Sequence, residues 1–166
     1  RMPAPAVIAI TGVGSWIWVS AADLKWLSVV IITVSAAGAI SATLMGAKST
    51  GSRNARLDRM LLVWPLAALA GWLTVATALN VLTVMTAKGL ISGGTADTAA
   101  LAGIAGVGLA ALAILWTTRV AVYGLPVAWG LIAVFVAERA GNPQAGWTAL
   151  AAAAVILFAS GAMARR

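Results

Sequence analysis

Six long apolar runs separated by short polar breaks make up this chain, at residues 5–20, 24–46, 60–86, 98–117, 120–137 and 143–164. A helix needs about 20 mostly apolar residues to cross the hydrocarbon core of a bilayer. The runs lack the in/out alternation of membrane β-strands, and a helix satisfies its own backbone hydrogen bonds in lipid. The pattern therefore predicts an all-α fold, a polytopic transmembrane bundle of about six helices that forms a single domain over residues 1–166.

The break between the fourth and fifth runs is the shortest. The stretch 99–136 is too long for one straight crossing, and Thr117, Thr118 and Arg119 supply its only polar interruption. We predict a tight hairpin there, with five helices as the alternative count. Pro126, in the fifth run, is predicted to kink that helix or to mark a packing contact.

Composition makes a membrane the expected environment. Of the 166 residues, 62% are hydrophobic and 9% are charged, whereas about a quarter of the residues of soluble domains are charged. A chain this apolar would expose hydrocarbon to water in any soluble fold. We expect an integral membrane protein, located in the bacterial cytoplasmic (inner) membrane, with no additional soluble domain.

The chain lacks the side chains on which most catalytic reactions depend. The chain has no Cys and no His, which removes thiolate nucleophiles, imidazole bases and the commonest metal ligands. The four acids, Asp23, Asp58, Asp97 and Glu138, lie far apart in polar breaks and do not suggest an acid/base pair. We expect no enzyme, no metal site, and no cofactor held by His or Cys.

The basic residues predict an orientation and a partner. If the six helices alternate, one side of the membrane collects Arg1, Lys48, Arg53, Arg56, Arg59, Arg119, Arg165 and Arg166, and the other side only Lys25, Lys88 and Arg139. This asymmetry predicts that both termini are cytoplasmic. The net charge of +7 lies at helix ends, so anionic lipid headgroups are the expected partner instead of nucleic acid. The candidate headgroup contacts are Arg53, Arg56, Arg59 and Arg119.

Small residues at four-residue spacing predict close helix contacts. Gly71 with Ala67, and Gly106 with Ala110, fit this spacing, and Gly103 lies one turn before Gly106. Such positions let helix backbones approach each other in lipid. We predict that the fourth helix is among the most closely packed of the bundle; the alternative is that its glycines line a cavity.

Eight tryptophans are the most unusual feature of the composition. Six lie near predicted helix ends, where indoles favour the headgroup level: Trp16, Trp18, Trp26, Trp64, Trp116 and Trp147. Trp72 and Trp129 instead lie near mid-helix and predict either the wall of a pocket for a flat ligand or core filling. Asn80, an amide inside an apolar helix, needs a partner. Because it follows Trp72 by about two turns, both are predicted to line one groove.

Three segments resemble the TspO/MBR family, the tryptophan-rich sensory proteins. The segment "VWPLAALAGWLTVATALNVLTVM" is similar to the family's fifth helix and matches its motif at Pro65, Trp72, Ala76, Ala78 and Asn80. "SWIWVSAADLKWLSVVIITV" resembles the junction of the third and fourth helices and contains Trp16. "RVAVYGLPVAWGLIAVFVAE" resembles a late helix and contains Tyr123 and Trp129. The three matches follow the family's order.

This resemblance implies a binding protein for a flat hydrophobic ligand such as a tetrapyrrole, a carotenoid or a sterol, held between helices for sensing or delivery. The residues implied are Trp72, Asn80, Trp129 and Trp16. In the family, two further helices and a ligand-covering loop come first, and nothing in residues 1–16 corresponds to them. The sequence thus resembles a longer-type member that lacks the first two helices, whether truncated, split or divergent.

Two other functional classes stay open. Short loops and small-residue faces also suit an accessory structural subunit of a larger photosynthetic or respiratory membrane complex. The partners expected are therefore membrane lipids, together with other membrane subunits or a second copy in a homo-oligomer. A transporter ranks last, because intramembrane charges and paired broken helices are missing from the pattern.

Overall fold

Six long helices form the bundle in the computed structural model, which describes residues 4–48, 57 and 59–165. They are α1 (Ala4–Ala21), α2 (Lys25–Lys48), α3 (Trp64–Ala87), α4 (Gly94–Thr118), α5 (Gly124–Glu138) and α6 (Pro143–Ala164). A π-helical segment, Arg59–Val63, leads into α3, and a 3-10 turn, Ala121–Tyr123, leads into α5. All six long segments are sufficiently long and apolar to cross a membrane, which confirms the predicted fold class.

The predicted hairpin between the fourth and fifth helices exists. Arg119 ends α4 in the left-handed conformation, with φ of 55°, and its backbone N–H donates to the Leu115 carbonyl. Val120 is extended, and the 3-10 turn then redirects the chain into α5. The six-helix count is therefore correct and the five-helix alternative is wrong.

Pro126 does not interrupt a helix. Because α5 begins at Gly124, Pro126 lies in its first turn, where backbone N–H groups have no acceptor within the helix. A proline at this place costs little. The predicted kink is therefore wrong: the helix begins just before the proline.

The bundle packs around α3 and α5. The first two helices pack on each other, α2 packs on α3, and α6 packs on α5 and α4. The α3–α5 contact is close because Gly71 lies against the backbone carbonyl of Tyr123 and Gly130 lies against Val75. Gly71 precedes Val75 along α3, and their partners Tyr123 and Gly130 follow each other in the same order. The two helices therefore run in the same direction.

Several hydroxyl groups inside the helices donate to a backbone carbonyl one turn earlier. Ser35 donates to the Ile31 carbonyl at 2.7 Å and Thr43 donates to the Ala39 carbonyl at 2.8 Å, one turn earlier in α2. This back-bonding lets polar side chains enter an apolar bundle without a loss of hydrogen bonding. At one end of the bundle, the Asn142 side chain caps α6 by accepting from the Ala145 N–H.

Candidate ligand groove

An apolar groove of about 400 Å³ lies between α3, α4 and α5. Its walls carry two tryptophans, Trp72 on α3 and Trp129 on α5. Between them lie mainly small and aliphatic side chains, among them Val75, Ala76, Leu79, Leu82, Ala100, Gly103, Ile104, Val107, Leu131 and Val134. The structure therefore brings together two of the four predicted ligand-binding residues.

The close α3–α5 contact positions both indoles. Trp72 directly follows Gly71, and Trp129 directly precedes Gly130, and both glycines form the contact. Neighbouring residues of a helix point about 100° apart, so each indole lies beside the contact and not within it. Trp72 is 52% exposed and Trp129 is 65% exposed. Side chains this exposed do not fill the core, so the alternative interpretation of the two tryptophans does not apply.

Gly103 lies on the α4 wall of the groove. A methyl group at its Cα would lie 3.0 Å from Cδ1 of Leu82, so the missing side chain lets Leu82 of α3 pack closely against α4. Gly103 therefore lines the groove and also permits a close helix contact, so both alternatives from the sequence apply to it.

The expectation that α4 is among the most closely packed helices needs correction. Gly106 and Ala110 are exposed, and a methyl group at Gly106 would meet nothing within 4 Å. They lie on the side of α4 turned away from its neighbours in this chain. Gly71, by contrast, is buried at the α3–α5 contact.

Asn80 does not share the groove with Trp72, so this prediction is wrong. Eight residues turn a helix by about 800°, which is about 80° beyond two full turns. Asn80 therefore faces α2, where its Nδ2 donates to Ser28 Oγ at 3.2 Å. The amide has found the interhelical partner that its position in an apolar helix required.

Asn80 and Ser28 line a second, polar cleft of about 170 Å³ at the end of the bundle. Asp23 and Lys25, in and beside the turn between α1 and α2, also line it and form an ion pair. The Lys25 ammonium, through its hydrogen bond and its charge, lowers the pKa of the Asp23 carboxyl below its ordinary value. This cleft is small and hydrophilic, unlike the groove.

Trp16 lies outside both the groove and the cleft. It is partly buried on α1 and packs against the core. Its indole Nε1 is buried, and no acceptor for it lies within the described residues. The structure thus separates Trp16 and Asn80 from the two tryptophans of the groove.

Two residues that were not predicted as ligand contacts contribute to this region, one to the α3–α5 contact and one to the groove. Tyr123 is completely buried, and its hydroxyl lies 2.9 Å from Thr74 Oγ1, which ties the start of α5 to α3. Glu138, the last residue of α5, lines one end of the groove. Its helical spacing from Val134 was the available signal, because residues four apart share a face.

The predicted headgroup arginines fall into two groups. Arg59 and Arg119 are exposed at helix ends, and the Arg119 guanidinium lies 4.4 Å from the centroid of the Trp116 ring, a cation–π arrangement. Arg53 and Arg56 lie outside the described residues. Across residues 4–48, 57 and 59–165, no three His, Cys, Asp or Glu side chains lie together in a way that could hold a metal ion.

Comparison with known proteins gives a family. The family model described as "TSPO-like protein" matches residues 1–162. The match includes residues 1–16, for which no counterpart in the family was expected from the sequence. Searches of curated proteins and of solved structures returned no match.

Proposed function

This chain belongs to the TSPO-like protein family and is an integral membrane protein, and from this premise we propose that it binds a flat hydrophobic ligand in the groove between α3, α4 and α5. The proposed role is sensing or delivery of this ligand, without catalysis. The ligand classes are a tetrapyrrole, a carotenoid or a sterol, bound without His or Cys ligation. The observation that carries the proposal is the pair of half-exposed indoles, Trp72 and Trp129, on the walls of one apolar groove.

A ligand binds in such a groove only if its contacts with the protein are more favourable in free energy than its contacts with lipid acyl chains. An apolar ligand leaves acyl chains, not water, when it enters from the bilayer, so the hydrophobic effect contributes little. Stacking between flat π-systems is worth about 0.5–1.5 kcal/mol per pair. Two indoles would therefore favour a flat conjugated ligand over lipid by about 5- to 150-fold. A ligand with a saturated ring system would gain packing contacts with the faces of the same two indoles.

The test is a binding titration in lipid nanodiscs with one probe for each class: protoporphyrin IX, β-carotene and the fluorescent sterol dehydroergosterol. We expect at least one probe to quench tryptophan fluorescence saturably. Trp72→Ala and Trp129→Ala should each weaken its binding. Trp18→Ala is the matched control, because Trp18 is 80% exposed on α1, away from the groove.

Two outcomes would overturn the proposal. One is that none of the three probes binds. The other is that binding occurs but is weakened equally by all three tryptophan variants, since the groove would then have no special part in it.

A second candidate function rests on the outward face of α4. Gly106 and Ala110 are exposed there, and small residues at four-residue spacing permit close helix association in lipid. We propose as the alternative that this face packs against another membrane subunit or a second copy of the chain. Gly106→Leu should then shift the native mass from complex to monomer, and an unchanged mass distribution would reject this role.

A further inference from the structure

The groove is polar at one end only. Glu138 is the one charged side chain among the described residues that line it, and it is partly exposed at the end of α5. We propose that the groove selects an elongated apolar ligand that carries a neutral or cationic hydrogen-bond donor, an alcohol or an amine, and that this donor binds the Glu138 carboxylate. This inference rests on the proposed function and narrows its ligand class.

The tryptophans and Glu138 lie at opposite ends of the groove. Trp129 and Glu138 are on the same helix, and nine residues of rise separate them by about 14 Å. Trp72 lies near the level of Trp129, because the adjacent Gly71 and Gly130 contact the facing helix within about one turn of each other. A bound molecule would therefore lie along the helices, with its rigid apolar part between the indoles and its polar end at Glu138.

The Glu138 carboxylate is available to a ligand. Within the part of the chain that the structure describes, its side chain forms no ion pair. Among the described residues, the backbone carbonyl of Glu138 accepts a hydrogen bond from the Asn142 N–H at 2.7 Å, and the side-chain carboxylate accepts none. A carboxylate at the edge of an apolar groove gains from a donor, since hydrogen bonds to charged groups are among the stronger ones.

The same end of the groove disfavours a ligand carboxylate. Glu138 is negative, and the C-terminus of α5 adds the partial negative charge of the helix dipole. Lys88 and Arg139 occur at this end but are exposed and do not line the groove. Among the three ligand classes, this arrangement favours a ligand with a hydroxyl group, such as a sterol, over a tetrapyrrole with free propionates.

A matched pair of probes tests this selectivity. Retinol and retinoic acid share one apolar conjugated body and differ in their polar end, and both absorb where tryptophan emits. In nanodiscs of zwitterionic lipid at neutral pH, we expect the wild-type chain to bind retinol about tenfold more tightly than retinoate.

Glu138→Gln should remove most of this preference by strengthening retinoate binding, and Glu138→Lys should reverse it in favour of retinoate. A misfolded variant could not produce such a reversal. Asp97→Asn is the control for charge at the same end of the bundle, because Asp97 does not line the groove, and it should leave the preference unchanged.

The outcomes separate this inference from the proposed function. Equal affinity of the wild type for both retinoids, or a preference that survives in both Glu138 variants, would overturn the inference while groove binding stands. If neither retinoid binds but one of the three class probes does, the inference also fails and the proposed function stands. If no compound binds, the proposed function fails.

Discussion

Replacing Gly71 by alanine should destabilise the bundle and open the contact that positions both groove tryptophans. A methyl group at Gly71 would overlap the backbone carbonyl oxygen of Tyr123 and lie 3.4 Å from Cγ2 of Val127. The carbonyl belongs to the backbone and cannot rotate away as a flexible side chain would. The two helices must therefore separate by about 1 Å, because a well-packed interior has no free volume to absorb the methyl group.

The expected cost of Gly71→Ala is about 1–3 kcal/mol in the free energy of unfolding, as for other overpacked interiors. Part of this cost would come from the hydrogen bond between Tyr123 and Thr74, since Tyr123 is itself the residue that Gly71 contacts. The assay is reversible unfolding in mixed micelles, followed by far-UV circular dichroism. Retinol or sterol binding should weaken in the same variant, because Trp72 directly follows the substituted residue.

Gly106→Ala is the matched control, because both substitutions add one methyl group inside a helix. A methyl at Gly106 meets nothing within 4 Å, and alanine favours the helix by up to about 1 kcal/mol over glycine. This variant should be as stable as the wild type or slightly more stable. Equal stability of the Gly71→Ala and Gly106→Ala variants would refute the described α3–α5 contact.

Three further predictions concern other parts of the chain. Thr74→Val should lower stability by about 0.6 kcal/mol in the same unfolding assay, the average for an interhelical hydrogen bond in a membrane; no loss would mean that the bond to the buried tyrosine contributes nothing. The pKa of Asp23 is lowered by Lys25, so this ion pair stabilises the fold above the ordinary carboxyl pKa and its contribution disappears as pH falls through the folded-state pKa. An NMR titration of the carboxyl should show a raised pKa in Lys25→Ala, and an unchanged value would contradict the assignment. Because the chain has no native cysteine, single cysteines at Lys48 and Lys88 can be labelled from either side of the membrane; Lys48→Cys should react from the cytoplasm and Lys88→Cys from the opposite side, and the reverse pattern would invert the proposed orientation.

The helices could be predicted because the apolar runs approach or exceed the length of a membrane crossing and are bounded by polar residues. Even the hairpin at Arg119 was visible, since one basic residue between two long apolar runs has no other low-energy place than a membrane surface. The helix ends shifted by up to four residues, as at the start of α4, where Gly94 replaces the expected residue 98.

The partners of each helix face could not be predicted in the same way. Spacing along α3 placed Trp72 and Asn80 roughly in line, but an offset of about 80° is enough to direct one towards the groove and the other towards Ser28 on α2. On α4, the spacing of Gly106 and Ala110 shows only that close approach is possible. Which side of α4 has a neighbour depends on the arrangement of the whole bundle. The side that carries Gly106 and Ala110 faces outward.

The candidate site illustrates the same limit. Trp129 and Trp72 were recognisable because an indole near mid-helix is unusual, whereas Glu138 followed an apolar run and had the pattern of a solvated helix end. Its spacing placed it on the same helix face as Val134, but that this face lines a groove becomes visible only when α3, α4 and α5 are assembled.

Native mass spectrometry of the chain purified from its own membrane tests the central claim most directly. The account predicts a single apolar molecule that co-purifies with the wild type and with Trp18→Ala and is missing from the Trp72→Ala/Trp129→Ala double variant. A wild-type chain without any such molecule, or a molecule that the double variant retains in full, would contradict it.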